Sequence, residues 1–426
     1  MTSVTFVSPY KPIVCGIADY TGFLTREMPA GRYDVLSFNL ENYGVTLNND
    51  PISSAESVWY GIPSRYDYCA ASILEGLKPG DDQVLWFQHE FGIWGDDARF
   101  VNMLRGIDKP KIVTLHTLHF QSDETLFGLR KREYQFLQAL FPNVDAITVF
   151  TDGIYHAISH AFPKYSHKVF VLRHGTHLYP EITKMSKLEA RARINDYLLG
   201  ESLLNQNNKD TLREQRVFNN TNILLIGGAG FITANKGIDL IYDACDAVRQ
   251  MIPEKKIAGV YIGFLREVDK SDDIECVARL NARCNQGNNH FLQTYLPDDM
   301  LPLFFRALDI HFYWPSDCTQ SGIIAHALGC GATIACRDME GVGETVKMAG
   351  GFTSPDFGKL VSGIKQLVLN AEMRDDLSKK AVNYAEAFCW RKQAIQHFKI
   401  ADHVLSTIYK TKAYNRITIS NRVLST

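Results

Sequence analysis

The sequence predicts two doubly wound α/β domains, each a parallel sheet wrapped by helices. Three observations carry this. Short apolar runs alternate with amphipathic stretches along almost the whole chain, the pattern of strands and helices built around parallel sheets. The alternation breaks once, at about 183–220, where the sequence is charged and then Asn-rich (Asn205-Gln-Asn-Asn208), and it restarts at 222. A length of 426 residues also exceeds one ordinary core, so two domains of roughly 200 residues are the natural division.

In the first half, apolar runs at 4–8, 33–38, 84–88, 111–115, 146–150 and 168–172 predict strands. Stretches 19–27, 97–105, 124–140 and 154–161 have the spacing of helices. In the second half, strands are expected at 222–227, 257–264, 290–293, 310–313 and 332–335, with helices at 238–251, 299–307 and 323–328. The expected division is a first domain 1–182, a connector 183–220 with one or two surface helices, and a second domain 221–385. A helix 386–410, opened by Phe388-Cys-Trp390, is expected to return to the first domain, and 411–426 to form a loose tail.

Composition excludes several classes. Lysine and arginine number 45 against 47 acidic residues, net −2, so no global field draws nucleic acid. Recognition is expected in a local pocket, and peripheral membrane contact is left open. Nine cysteines, an odd number without regular spacing, read as reduced thiols. With no Cys-x-x-Cys pair, no metal site is expected. The start, Met1-Thr-Ser-Val-Thr-Phe-Val-Ser-Pro9, lacks the regions of a signal peptide, and no apolar run reaches the ~18 residues of a membrane span. A cytoplasmic protein is expected.

The motif that says most is Cys318-Thr-Gln-Ser-Gly-Ile-Ile-Ala-His-Ala-Leu-Gly-Cys-Gly331. Gln320, Ser321 and Gly322 precede or open a helix, and amides at a helix start form an anion site. Gly227-Gly-Ala-Gly-Phe-Ile-Thr-Ala-Asn-Lys-Gly237 follows the first strand of the second half. There the glycines, Gly230 among them, permit close approach of a phosphate, and Lys236 supplies a point charge or is a solvated lysine at a helix start. It is not a Walker loop, since Gly-Lys-Ser/Thr is missing. Near the amino end, Cys15-Gly-Ile-Ala18 puts Gly16 and Ile17 at a strand–helix junction on the carboxyl edge of a sheet. Gln88-His-Glu-Phe-Gly-Ile-Trp-Gly95, Thr114-Leu-His-Thr-Leu-His119 and Arg173-His-Gly175 each place a histidine beyond a strand. His89, Glu90, Thr117 and His174 are therefore candidate contacts to sugar hydroxyls, the alternative for any one of the histidines being a core residue bonded to backbone. Glu344, after Gly341-Val-Gly343, is either a ribose contact or an ordinary surface carboxylate.

Taken in order, these segments resemble retaining glycosyltransferases of the GT-B fold, family four, and within it a bacterial subgroup. That subgroup carries Cys-Gly-Ile-Ala, Gln-His-Glu-Tyr-Gly-Ile, Thr-Leu-His-Thr and a Ser-Gly before Ala-Leu-Gly-x-Gly. The similarity covers roughly residues 4 to 400. It implies two domains facing a cleft, and a metal-independent hexosyltransferase in polysaccharide biosynthesis. Such an enzyme moves a sugar from a nucleoside diphosphate sugar to a hydroxyl of a glycan or glycoconjugate, with no further cofactor. Catalytic roles are implied for His116, near the anomeric carbon, and for Lys236, opposite the leaving diphosphate. Donor contacts are implied for Gly16, Ile17, Gly230, Phe231, Gln320, Ser321, Gly322, His326 and Glu344. The chain departs from the wider family where two glutamates flank the Ser-Gly helix: here the positions fall near Cys318 and at His326. That departure admits an alternative, a catalytically degenerate protein of this fold that acts as a binding or assembly partner of another transferase. An epimerase or phosphorylase of the same fold ranks below both, because a phosphorylase's pyridoxal lysine or orthophosphate site is not evident.

Overall fold

The computed structural model describes residues 2–43, 57–80, 83–265, 270–284 and 288–423, with side chains described as far as Lys410. It divides into two compact units, Met1–Gly175 with Trp390–Thr426, and Thr176–Cys389.

Unit 1 is built on β1 (Ser3–Val7), β2 (Tyr33–Phe38), β3 (Val58–Ile62), β4 (Gln83–His89), β5 (Lys111–Leu115), β6 (Ala146–Val149) and β7 (Val169–Val171). All pair in parallel, in the order β3-β2-β1-β4-β5-β6-β7. Every residue of β4 is buried, as a central strand covered on both faces must be. Its period of two splits the core. Leu85 and Phe87 face a cluster containing Phe100, Phe136 and Val113, while Val84 and Trp86 face one containing Phe6, Ile112, Trp390 and Ala401. The second cluster depends on the last helix, Trp390–Val423, which packs its apolar stripe on β1 and on the helix Gly16–Arg26.

Unit 2 repeats the plan with β8 (Ile223–Ala229), β9 (Lys256–Gly263), β10 (Asn289–Gln293), β11 (Ile310–Tyr313), β12 (Ile334–Arg337) and β13 (Phe352–Ser354). These are parallel in the order β10-β9-β8-β11-β12-β13. In both sheets the order reverses beside the first strand, between β1 and β4 and between β8 and β11. The crevice at the carboxyl ends of such strands is where open α/β sheets bind ligands.

Four sequence expectations are corrected. The stretch 183–220 is no connector, since the helices Pro180–Lys184, Lys187–Gly200 and Gln206–Gln215 belong to unit 2. Ala190, Ile194, Leu198, Leu212 and Phe218 are in its core. Its charge misled because Arg191 is 4% exposed: the guanidinium donates to the carbonyls of Ala307 and Ile223 and pairs with Asp309 at 2.6 Å. Burial alone would raise the Asp309 pKa, but Lys187 and Arg191 outweigh it and hold the carboxyl below its usual value. The first boundary also falls at 175 rather than 182, because Thr176 bonds the carbonyls of Phe388 and Ala385. The helix expected at 124–140 begins only at Lys131, where Glu133 accepts from the Arg130 amide and closes the first turn. Finally, the last helix continues to Val423, through most of the stretch read as a tail. Two edge strands, β3 and β13, escaped the pattern: one is only half-buried and the other three residues long.

Candidate active site

In unit 1 the switch point gathers the histidines. His116 follows β5 directly, and its amide donates to the carbonyl of His89 at 3.0 Å. The ring is 7% exposed, with Nε2 2.7 Å from Gln88 Oε1. Tyr20, from the helix Gly16–Arg26, meets it edge-on at 4.8 Å, and Phe150 lies 5.1 Å away. Tyr20 also touches His174 at 5.2 Å and Trp390 at 5.0 Å, so this ring organises the cluster. Burial holds His116 well below the usual histidine pKa, with His174, His89 and His397 adding to the effect. The imidazole is neutral. His174, half-buried, is held at about 4 by burial, against a bond from Nδ1 to the Gly175 carbonyl.

His89 differs from the expectation. It ends β4 pointing to the opposite face from Gln88, where it stacks on Phe136 at 4.5 Å and meets Phe100 at 4.7 Å. Desolvation pushes its pKa down to about 3. His89 is a core histidine rather than a sugar contact. The neighbouring Glu90 and Thr117 do come together, through a hydrogen bond from the Thr117 hydroxyl to Glu90 Oε2. Gly16 opens its helix with open space where a Cβ would be, and Cys15 makes no side-chain capping bond there.

In unit 2 the loop after β8 and the helix after β11 converge. Gly230 has φ +129°, and a Cβ there would sit 3.2 Å from the Ile323 side chain and 4.0 Å from Lys236 Nζ. The β8 loop, the lysine and the start of the helix Gly322–Gly329 therefore meet within van der Waals reach. Lys236 ends a 3-10 turn, Ala234–Lys236, tied down by a 2.8 Å bond from the Ala234 amide to Asp273. Its ammonium donates to the Phe231 carbonyl at 2.7 Å and lies 5.9 Å from the Phe231 ring centre. A small pocket opens here, lined among others by Lys236, Gly228, Tyr261, Tyr313 and Ile323. Ser321 caps the helix with extended backbone and no side-chain capping bond, its side chain being engaged by Tyr313, and the space around a Cβ on Gly322 is open. Just before it, Gln320 Nε2 is buried with no hydrogen-bond partner among the described residues. A charge beside the amides of a helix start is the chemistry that holds a phosphate.

Two more expected donor contacts, His326 and Glu344, lie on the helices after β11 and β12. His326, one turn into the helix, stacks on His177 at 3.8 Å, and its Nδ1 is 2.6 Å from the Tyr179 hydroxyl. Its observed partners are those of a packing residue. Glu344 lies within Glu340–Met348, after β12. Sequence reasoning missed Tyr20, Gln88 and His397, and the cavity tyrosines Tyr261 and Tyr313. Period two along β4 carried a signal for Gln88, since it shares the face of Trp86. Among the described residues no group of three or more His, Cys, Asp or Glu side chains is placed to hold a metal ion, and no helix is long and apolar enough to cross a membrane.

No protein-family model matches the sequence, and no curated protein matches it either. Solved structures do match in shape. A UDP-forming α,α-trehalose-phosphate synthase from Burkholderia xenovorans superposes with TM-score 0.67 at 13% identity, over 95% of this chain and 100% of that one. A second structure of that enzyme type from the same organism, in complex with glucose-6-phosphate, gives 0.68 at 10% over 94% and 100%. An E. coli structure described as trehalose-6-phosphate bound with UDP-2-fluoro glucose gives 0.64 at 11% over 94% and 99%. At these identities the likeness establishes the fold: two parallel-sheet α/β domains of the GT-B type.

Proposed function

We propose that this protein is a retaining glycosyltransferase that moves a hexose from a nucleoside diphosphate sugar to an acceptor hydroxyl. The observation that carries the reading is the convergence of Lys236, Gly230 and the start of the Gly322–Gly329 helix at the switch point of unit 2. In this reading the diphosphate takes the Lys236 ammonium and the amides of Ser321 and Gly322. Both strengthen their hold as charge develops on the leaving oxygen, so they stabilise departure without a metal ion. His116 keeps the catalytic role that the resemblance implies. The names of the similar structures favour a uridine diphosphate donor and a sugar-phosphate acceptor over the glycan acceptor that the family-four resemblance suggests.

One observation favours a second reading. Cys318 and His326 replace the family's glutamates, and His326 is engaged by His177 and Tyr179. A degenerate binding partner would keep the diphosphate site and lose the chemistry. Calorimetry with UDP and UDP-glucose, followed by turnover of UDP-glucose with glucose-6-phosphate, separates the two. Binding with turnover supports transfer, binding alone supports the degenerate partner, and binding of no nucleotide defeats both.

A further inference from the structure

Tyr313 closes β11, and its ring stacks at 6.2 Å on that of His311, which meets Phe305 edge-on at 4.9 Å. The tyrosine is therefore anchored against the core of unit 2. Its hydroxyl is 3.5 Å from Cys318 Sγ, and the thiol donates to the carbonyl of Gln320 at 3.2 Å. Burial pushes the thiol up to about 11, so it keeps its proton at neutral pH. With that proton bonded to the carbonyl, the sulfur accepts from Tyr313. The side chain of Ser321 meets the same tyrosine hydroxyl. One peptide lies between these ties. In a trans peptide the C=O and N–H point in opposite directions, so holding the Gln320 carbonyl on the thiol turns the Ser321 amide away from it. That amide donates to no group among the described residues, and it starts the helix beside the open space at Gly322.

We propose that Cys318 is a positioning residue of the donor site: its thiol, held by Tyr313, fixes the Gln320–Ser321 peptide so that the Ser321 amide points at the diphosphate. The proposal deepens the diphosphate site assigned above and rests on it. Cys318 acts through the peptide rather than on the ligand. An amide already oriented needs no reorganisation as charge builds on the leaving oxygen, whereas a loosely held peptide loses conformational freedom when it binds. The thiol and the tyrosine hydroxyl thus set how tightly the helix start grips a phosphate.

The test is calorimetry of UDP on the full chain, with the Ser321 amide followed by proton–nitrogen NMR. In the unmodified protein UDP should move the Ser321 amide proton downfield, as a new bond to a phosphate oxygen does. Cys318→Ala removes the thiol and should weaken UDP by roughly tenfold, the worth of one bond to a charged group, and abolish most of that shift. Cys318→Ser keeps a donor and should return affinity to within about twofold of the original. Tyr313→Phe keeps the ring but releases the sulfur, and should cost about threefold. A thiol that only packs would lower the melting temperature and leave both readouts alone. Affinity kept within about twofold in Cys318→Ala would overturn the proposal. So would a serine variant no tighter than the alanine, or an unmodified protein that binds UDP with no shift at Ser321. If Cys318→Ala does not fold, Tyr313→Phe decides on the same two readouts. A protein that binds no UDP at all defeats the diphosphate site itself, and the proposal with it.

Discussion

Acid should unfold unit 1 before unit 2, and the histidines set the size of the effect. In unit 1, burial holds His89 at about 3, His174 and His397 at about 4, and His116 well below its usual value, against 6.5 for a free histidine. In unit 2, His290 and His311 are held at about 4 for the same reason. A group whose folded pKa is depressed in this way is neutral when folded and takes up a proton on unfolding. The unfolded state then binds more protons between about 4 and 6.5, so stability is fully present above 6.5 and falls as pH drops. At about pH 5.5 each such histidine loses ~1.4 kcal/mol. Four in unit 1 give about 6 kcal/mol and two in unit 2 about 3, against a net stability on the order of 5–15 kcal/mol. Tryptophan fluorescence reads the difference, because Trp59, Trp86, Trp94 and Trp390 lie in unit 1 and only Trp314 in unit 2. On titration from pH 7 downward the fluorescence transition should precede much of the loss of circular dichroism. His397→Gln should move it to lower pH, since that ring is wholly buried and lies tilted against Trp86 at 4.4 Å between ring centres. Coincident transitions, or a midpoint indifferent to His397→Gln, would refute the reasoning.

Other outcomes follow from single contacts. Lys236→Ala should weaken UDP binding by roughly ten- to hundredfold, the loss of one charge-assisted bond, with a melting shift of only a few degrees; equal affinity by calorimetry removes the lysine from the phosphate site. His326→Ala should lower the melting temperature by the worth of its stack and hydrogen bond, about 1–2 kcal/mol, and leave the relative use of different nucleotide sugars unchanged; a changed donor preference would return it to the donor site. Asp309→Ala should cost about 3–5 kcal/mol, because Arg191 is left buried and unpaired. A small effect in denaturant titration would mean that the 183–220 helices are peripheral after all.

Much of this was legible in the chain because parallel sheets write themselves plainly. Lys111-Ile-Val-Thr-Leu115 could only be a buried strand, and the residue after it had to emerge at the carboxyl edge. The glycine-rich turn after β8 and the start of the Gly322–Gly329 helix were likewise placed by their neighbours. Sequence reasoning failed where one residue's step changes the face. His89 and His116 look alike as strand-end histidines, yet His89 turns into the phenylalanine core while His116 meets Gln88. It failed again where charge is buried: nothing local distinguishes Arg191, paired with Asp309, from Arg193, which spans one exposed helical turn to Glu189. His326 illustrates a third limit, since its partners His177 and Tyr179 lie about 150 residues earlier and no local pattern announces them.

The central claim is transfer with retention, and the stereochemistry of the product tests it most directly. Incubation with UDP-glucose and glucose-6-phosphate, followed by proton NMR of the new anomeric centre, should show an α-linkage formed from the α-configured donor. His116→Ala should form it far more slowly while still binding UDP. A β-linked product, or no glucosyl product from a protein that binds no nucleotide, would contradict the account.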